Sequence, residues 1–149
     1  MANDGLSLMD RVREAANAVP DPCSMARNLN LGVADMGMIR NIRLEEVPSG
    51  RWSVTMLIRL TAPGCMYMPY FEEHLRREVT RLPDVDEFRI VWDDNFDWTP
   101  ECLSPAAKEK VAARTRHLEE VLRYTERADC DAQGAAAKPS VTTQSKVKE

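Results

Sequence analysis

The chain contains no CxxC pair and only two histidines among its 149 residues. Without that cysteine spacing, a zinc ribbon or a thioredoxin-type redox motif has no support. Neither His74 nor His117 lies near a nucleophile in the sequence, so a Cys–His catalytic pair has no basis either, and both sit among charged neighbours as surface residues do. No apolar run approaches the roughly 18 residues that a membrane-spanning helix requires. The first residues, Met1 to Gly5, lack the basic region and apolar stretch of a signal peptide. Positive charge is also in the minority: 20 Lys and Arg stand against 24 Asp and Glu, a formal charge of -4. That balance argues against a nucleic-acid backbone or an anionic membrane as the main partner. A cytoplasmic protein is the expectation.

What is present fits one domain with a tail. The four cysteines are Cys23, Cys65, Cys102 and Cys130. In a reducing compartment they are not a disulfide framework. Eight methionines are a generous supply, and Met36, Met38, Met66 and Met68 flank the loops of interest. They read as adaptable core filler, with thioether ligation of a soft metal as the alternative.

Hydrophobic periodicity predicts a first helix from Ser7 to Ala18, with Leu8, Met9, Val12, Ala15 and Ala16 on one side. Pro20 and Pro22 stop it, and a short helical turn is expected within 24–30. Gly32 and Gly37 bracket a loop before a strand from Met38 to Glu46. The turn at 47–50 leads into a second strand, Arg51 to Leu60, as an antiparallel hairpin. Trp52, Val54, Met56, Ile58 and Leu60 alternate onto one face of it. A helix from Tyr67 to Leu82 follows, with Pro69 in its first turn, then a strand from Asp86 to Asp93 that sets Phe88, Ile90 and Trp92 together. After a polar–aromatic loop, Ser104 and Pro105 launch a last helix to about Tyr124. Its apolar stripe is Ala107, Val111, Leu118, Val121 and Leu122. From about Ala128 the chain is poor in apolar bulk and is expected to be disordered. The reading is therefore an α/β (α+β) domain over residues 6–124, order αββαβα, with a small mixed three-stranded sheet under helical cover, and a disordered tail over 128–149.

The segment from Thr61 to Cys65 ends a strand and precedes a helix. A cysteine in such a Pro–Gly loop lies near unsatisfied backbone N–H groups and the positive end of the helix dipole, which stabilise a thiolate. A thiolate binds soft metals and attacks electrophiles. The competing reading is a buried, inert cysteine.

Three segments occur in an order that resembles a known family: Asp21 and Pro22 after the first helix, Asp35 to Ile39 leading into a strand, and Thr61 to Cys65. Trp92, then Trp98 to Pro100 followed by Leu103 and Ser104, are similar to that family's tryptophan–proline region. The resemblance is to iron–sulfur cluster assembly factors of the SufT/PaaD type and spans about residues 12–118. It implies a small α/β accessory factor, dimeric and without catalytic turnover of its own. Such a factor helps assemble or deliver clusters and matures a metalloenzyme client, for example a multicomponent oxygenase. It implies as partners an apo-metalloenzyme and the cluster-assembly proteins, and an iron–sulfur cluster or iron bound in transit. Cys65 matches the family cysteine, and Asp21–Pro22 its acidic loop.

The chain departs from the family at three places. Cys23 stands where Glu is usual, Met66 stands where Pro is usual, and Asp94 to Trp98 lacks the prolines that usually precede the second tryptophan. If the Asp21 loop lies near Cys65, Cys23 adds a second soft ligand. Cys65 and Cys23 are then the candidate metal ligands, and Asp21 and Cys102 complete the candidate cofactor-binding set. Against this, Cys23 reads equally as a neutral substitution and Cys102 as buried filler. Asp93, Asp94 and Asp97 form an acidic cluster beside Trp92, Phe96 and Trp98. It reads as a solvated or partner-contacting loop before it reads as a hard-metal or acid–base site. The rival function is a metal-free interaction adaptor or chaperone for an apo-enzyme; a cysteine-dependent enzyme would need a base that the sequence does not offer.

Overall fold

The computed structural model describes residues 7–136. Helix α1, Leu8–Asn17, is opened by a reciprocal cap: the Asp10 amide donates to Ser7 Oγ at 3.2 Å and the Ser7 amide to the Asp10 carboxylate at 3.3 Å. Helix α2 spans Pro22–Ala26, β1 Ile39–Glu46, β2 Trp52–Arg59, α3 Met68–Thr80, β3 Val85–Asp93 and α4 Pro105–Ala136, with a 3-10 turn at Pro100–Cys102. The expected helical turn within 24–30 thus begins earlier, because Pro22 fits the first turn of a helix capped by Asp21.

The sheet has the order β1-β2-β3, with β1 and β2 antiparallel and β2 and β3 parallel. This is the mixed three-stranded sheet that the pattern predicts. Strand β2 is central, and Val54, Met56 and Ile58 on its inner face are fully buried. Helix α3 makes the crossover that a parallel pair requires and lays Phe71, Leu75 and Val79 onto the core, where Val12 and Ala16 of α1 join them. At β3, Arg76 of α3 donates to the Phe88 carbonyl at 2.9 Å, occupying a backbone acceptor of a strand that ends the sheet.

Two loops between α1 and β1 position the site. The first is pinched at its base: the Asp21 amide donates to the Leu31 carbonyl at 2.8 Å, and the Val33 amide to the Val19 carbonyl at 3.1 Å. The second holds Asp35. Its carboxylate accepts from Asn17 Nδ2 at 3.0 Å and from Ser104 Oγ at 2.7 Å, and its carbonyl accepts the Ser104 amide at 2.9 Å. Asp35 therefore joins the end of α1 to the start of α4. Gly37 has φ +66°, and a Cβ there would lie 2.0 Å from the Cys102 carbonyl oxygen; only glycine fits both demands.

Of the described residues, those up to Val111 form one compact unit and those from Ala112 another. Ala107 is buried, as the stripe of the last helix predicts, but Leu118, Val121 and Leu122 are largely exposed. The outer half of that stripe is not core. The helix also continues to Ala136, past its expected end near Tyr124, so the expected tail is helical as far as 136. The rest of that tail, 137–149, lies outside the described residues. No described helix is long and apolar enough to cross a membrane.

Candidate functional site

Asp21 sits at the N-cap of α2 and is only 3% exposed. Its carboxylate accepts the Ser24 amide at 2.7 Å. Ser24 Oγ in turn donates to the Asp21 carbonyl at 2.8 Å and accepts the Leu31 amide at 2.9 Å. This buried knot fixes where Cys23, on the exposed side of the same turn, can point. Burial pushes the Asp21 carboxyl above the ordinary Asp value, against the lowering influence of the Ser24 amide, Arg27 and the Cys23 amide.

Cys65 lies within electrostatic range of Cys23. The Cys23 thiol is pushed up by burial first, then by the negative charges of Asp21 and Cys65, while Arg27 pulls it down. The start of the loop after β2 and α2 flank one pocket of about 290 Å³, whose walls include Cys23, Leu31, Met36, Ala62, Trp98 and Leu103 but not Cys65. Tyr70, in the first turn of α3, donates its hydroxyl to the Pro20 carbonyl at 3.1 Å. That bond fastens the element following Cys65 to the turn preceding Cys23. Burial and the Asp21 charge raise the Tyr70 hydroxyl, so it stays protonated and keeps donating.

Cys65 lies in a loop rather than at a helix terminus proper: α3 starts at Met68, and Tyr67 ahead of it provides no side-chain cap. The thiol packs partly against the core. Cys102 is on a separate element. It occupies the 3-10 turn, where its backbone presses on Gly37 and its Sγ lies 4.0 Å from Thr99 Oγ1. The charged groups acting on Cys23 are Asp21, Cys65 and Arg27, without Cys102. The side chain of Cys130 lies outside the described residues.

The acidic cluster is bound within the chain. Arg40 pairs with Asp93 at 2.8 Å and with Asp97 at 2.7 Å, and Arg59 approaches Asp97 at 3.6 Å. These guanidinium contacts anchor the loop after β3, and Trp98 Nε1 donates to the Met36 carbonyl at 2.6 Å to close it. His74 is engaged by Arg77 at 2.8 Å and by the Tyr70 ring. Met36 and Met38 are core filler as expected, while Met66 is 80% exposed.

Sequence reasoning missed Arg27, Tyr70 and the pocket. Arg27 lies four positions after Cys23, one turn on along a helix, a spacing visible once α2 is started at Pro22. Nothing in the pattern could announce the Tyr70 bond, which joins residues fifty positions apart.

Chemically, one chain offers two soft donors beside a buried carboxyl and a guanidinium. Among the described residues no group of three or more His, Cys, Asp or Glu side chains is placed to hold a metal ion. The donor type fits iron–sulfur chemistry; the number in one chain does not fill a cluster's coordination.

Residues 9–90 match the family described as iron–sulfur cluster assembly protein. The chain is 28% identical, over 104 residues, to the Fe–S protein maturation auxiliary factor YitW of Bacillus subtilis (strain 168), covering 68% of this chain and 91% of that protein. Its fold is similar to the crystal structure of a domain of unknown function, DUF59, from Bacillus anthracis, with a TM-score of 0.60 at 19% identity, over 70% of this chain and 92% of that one.

Proposed function

This chain belongs to the iron–sulfur cluster assembly protein family, and from that premise we propose that it is an auxiliary factor in the maturation of iron–sulfur proteins, with Cys65 as the residue on which the role depends. The relative from Bacillus subtilis, which carries such a description, supports the reading. Within the molecule it is supported by the electrostatic influence of Asp21, Cys65 and Arg27 on the Cys23 thiol. The cluster or iron is cargo, held in transit by thiolate sulfur and passed to an apo-metalloenzyme. The factor acts in the cytoplasm without turnover of its own. The resemblance of its motifs to the PaaD type points to a multicomponent oxygenase as the client.

Cys65→Ser tests this directly. Serine keeps the size but supplies no soft anionic ligand at neutral pH. Client activity and client iron content should fall to the level of a deletion strain in a complementation assay, while thermal unfolding of the variant stays close to wild type. Full client activity with the serine variant would overturn the reading. A metal-free adaptor is the second reading, favoured by the want of a three-donor group among the described residues. Visible absorption after anaerobic reconstitution with iron and sulfide separates the two: the adaptor stays colourless and still supports its client.

A further inference from the structure

We propose that the part of α4 from Ala112 onward is a pairing surface for a second copy of this chain, with the two helices antiparallel about a twofold axis near residue 120. The pairing involves neither the cysteines nor any cargo. The matched family segment, residues 9–90, ends before α4 begins, so the family match does not supply this surface.

The face is continuous. Leu118, Val121 and Leu122 lie on one side of the helix and are 46%, 45% and 62% exposed. Steps of three and four residues carry the same side back to Arg114 and on to Thr125, so that Arg114, Leu118, Val121 and Thr125 fall on the seam of a heptad pattern. Single apolar side chains on a surface need no explanation, whereas a stripe of them marks an interaction site. A helix also draws most of its stability from packing such a face.

The stripe complements itself in one direction only. In an antiparallel pair, Leu118 of each copy faces Val121 of the other, and Arg114 faces Thr125. Each contact occurs twice, because a symmetric dimer presents the same patch from both sides. Leu122, just beside the seam, then packs near Thr115 of the other copy. In a parallel pair Arg114 would instead meet Arg114, forcing two like charges together at the interface. An anionic membrane is a poor occupant of the same stretch, since Glu119, Glu120 and Glu126 would be repelled by it.

The test is sedimentation velocity and light scattering on the full chain over a dilution series, where a reversible monomer–dimer equilibrium is expected. Replacing both leucines, Leu118→Gln with Leu122→Gln, keeps strong helix formers in place and should raise the dimer dissociation constant about 10-fold or more. Near-UV circular dichroism should stay as in wild type, because Trp52, Trp92 and Trp98 all lie outside α4. Direction is read from Thr125. Thr125→Glu gives Arg114 of the other copy an anionic partner on both sides of the axis and should tighten the dimer about 2-fold or more at low salt; Thr125→Lys should loosen it. In a parallel pair both substitutions would set like charges together and weaken association. A monomer at every concentration, a dimer indifferent to the leucine substitutions and therefore made through another surface, or weakening by Thr125→Glu would each overturn the proposal. None of these readouts is client activity, so the maturation role stands or falls separately.

Discussion

Asp21 shows how one side chain serves both the fold and the site. It is the cap of α2, and its burial holds the carboxyl above the ordinary value of 3.8. With a folded pKa above the unfolded one, the folded state binds the proton more tightly. The stabilisation is complete below the unfolded value and is lost as pH rises through the folded one. Asp21→Asn keeps the cap and removes the titration, so its unfolding midpoint should be flatter than wild type as pH is raised from 3.8 through the mildly acidic range. Asp21→Ala should instead lose about 0.5–2 kcal/mol at all pH values, measurable by urea unfolding. Asp97 has the opposite sign: hydrogen bonding to Arg40 lowers its carboxyl, so its contribution is present above the ordinary value and fades as pH falls. Gly37→Ala should cost more than about 2 kcal/mol, since it adds a left-handed strain to a backbone clash. At this scale much was legible: Asp21, Cys23 and Cys65 stand out because proline and glycine mark their turns. Asp35 stood in a recognisable motif, but its role did not show, because its partners Asn17 and Ser104 lie far away in sequence.

Among the elements, β2 and α3 follow directly from their periodicity, and the observed spans, Trp52–Arg59 and Met68–Thr80, differ from the expected ones only at their ends. Those ends move because caps and register, not hydrophobicity, set them. Helix α4 departs further, since a stripe read as core stays in water after Val111. Periodicity marks a face able to be buried without saying that anything covers it. The loop from 94 to 99 was illegible in another way: the acids at 93–97 looked like a solvated cluster, yet Arg40 on β1 pairs with Asp93 and Asp97, and Arg59 on β2 approaches Asp97. Trp98 closes that loop and forms a wall of the pocket. Trp98→Phe leaves the Met36 carbonyl without its partner, so a loss of about 1–3 kcal/mol is expected, with altered reactivity of Cys23 toward a thiol reagent as the readout at the pocket.

For the molecule as a whole, the last buried apolar residue among those described is Ala107. The core is therefore assembled before α4 has run its first turns. Ending the chain after Arg127 should leave the cooperative unfolding transition, and the colour of a reconstituted sample, unchanged; a broadened transition or a lower midpoint would show that residues beyond Arg127 support the core.

The pinch at the base of the α2 loop has a consequence for how such a protein changes over generations. Hydrogen bonds at Asp21–Leu31 and Val19–Val33 hold the two ends of the loop together whatever lies between them. Exposed residues of the loop such as Cys23, unlike the buried Ser24, are thus relieved of any packing duty, and even doubling its length would add only about 0.6 kcal/mol of closure entropy. A carboxylate can be exchanged for a thiol at position 23 while the scaffold goes on folding as before. The loop behaves as a cassette, in which ligand chemistry drifts under selection for the cargo while the framework stays under selection for folding.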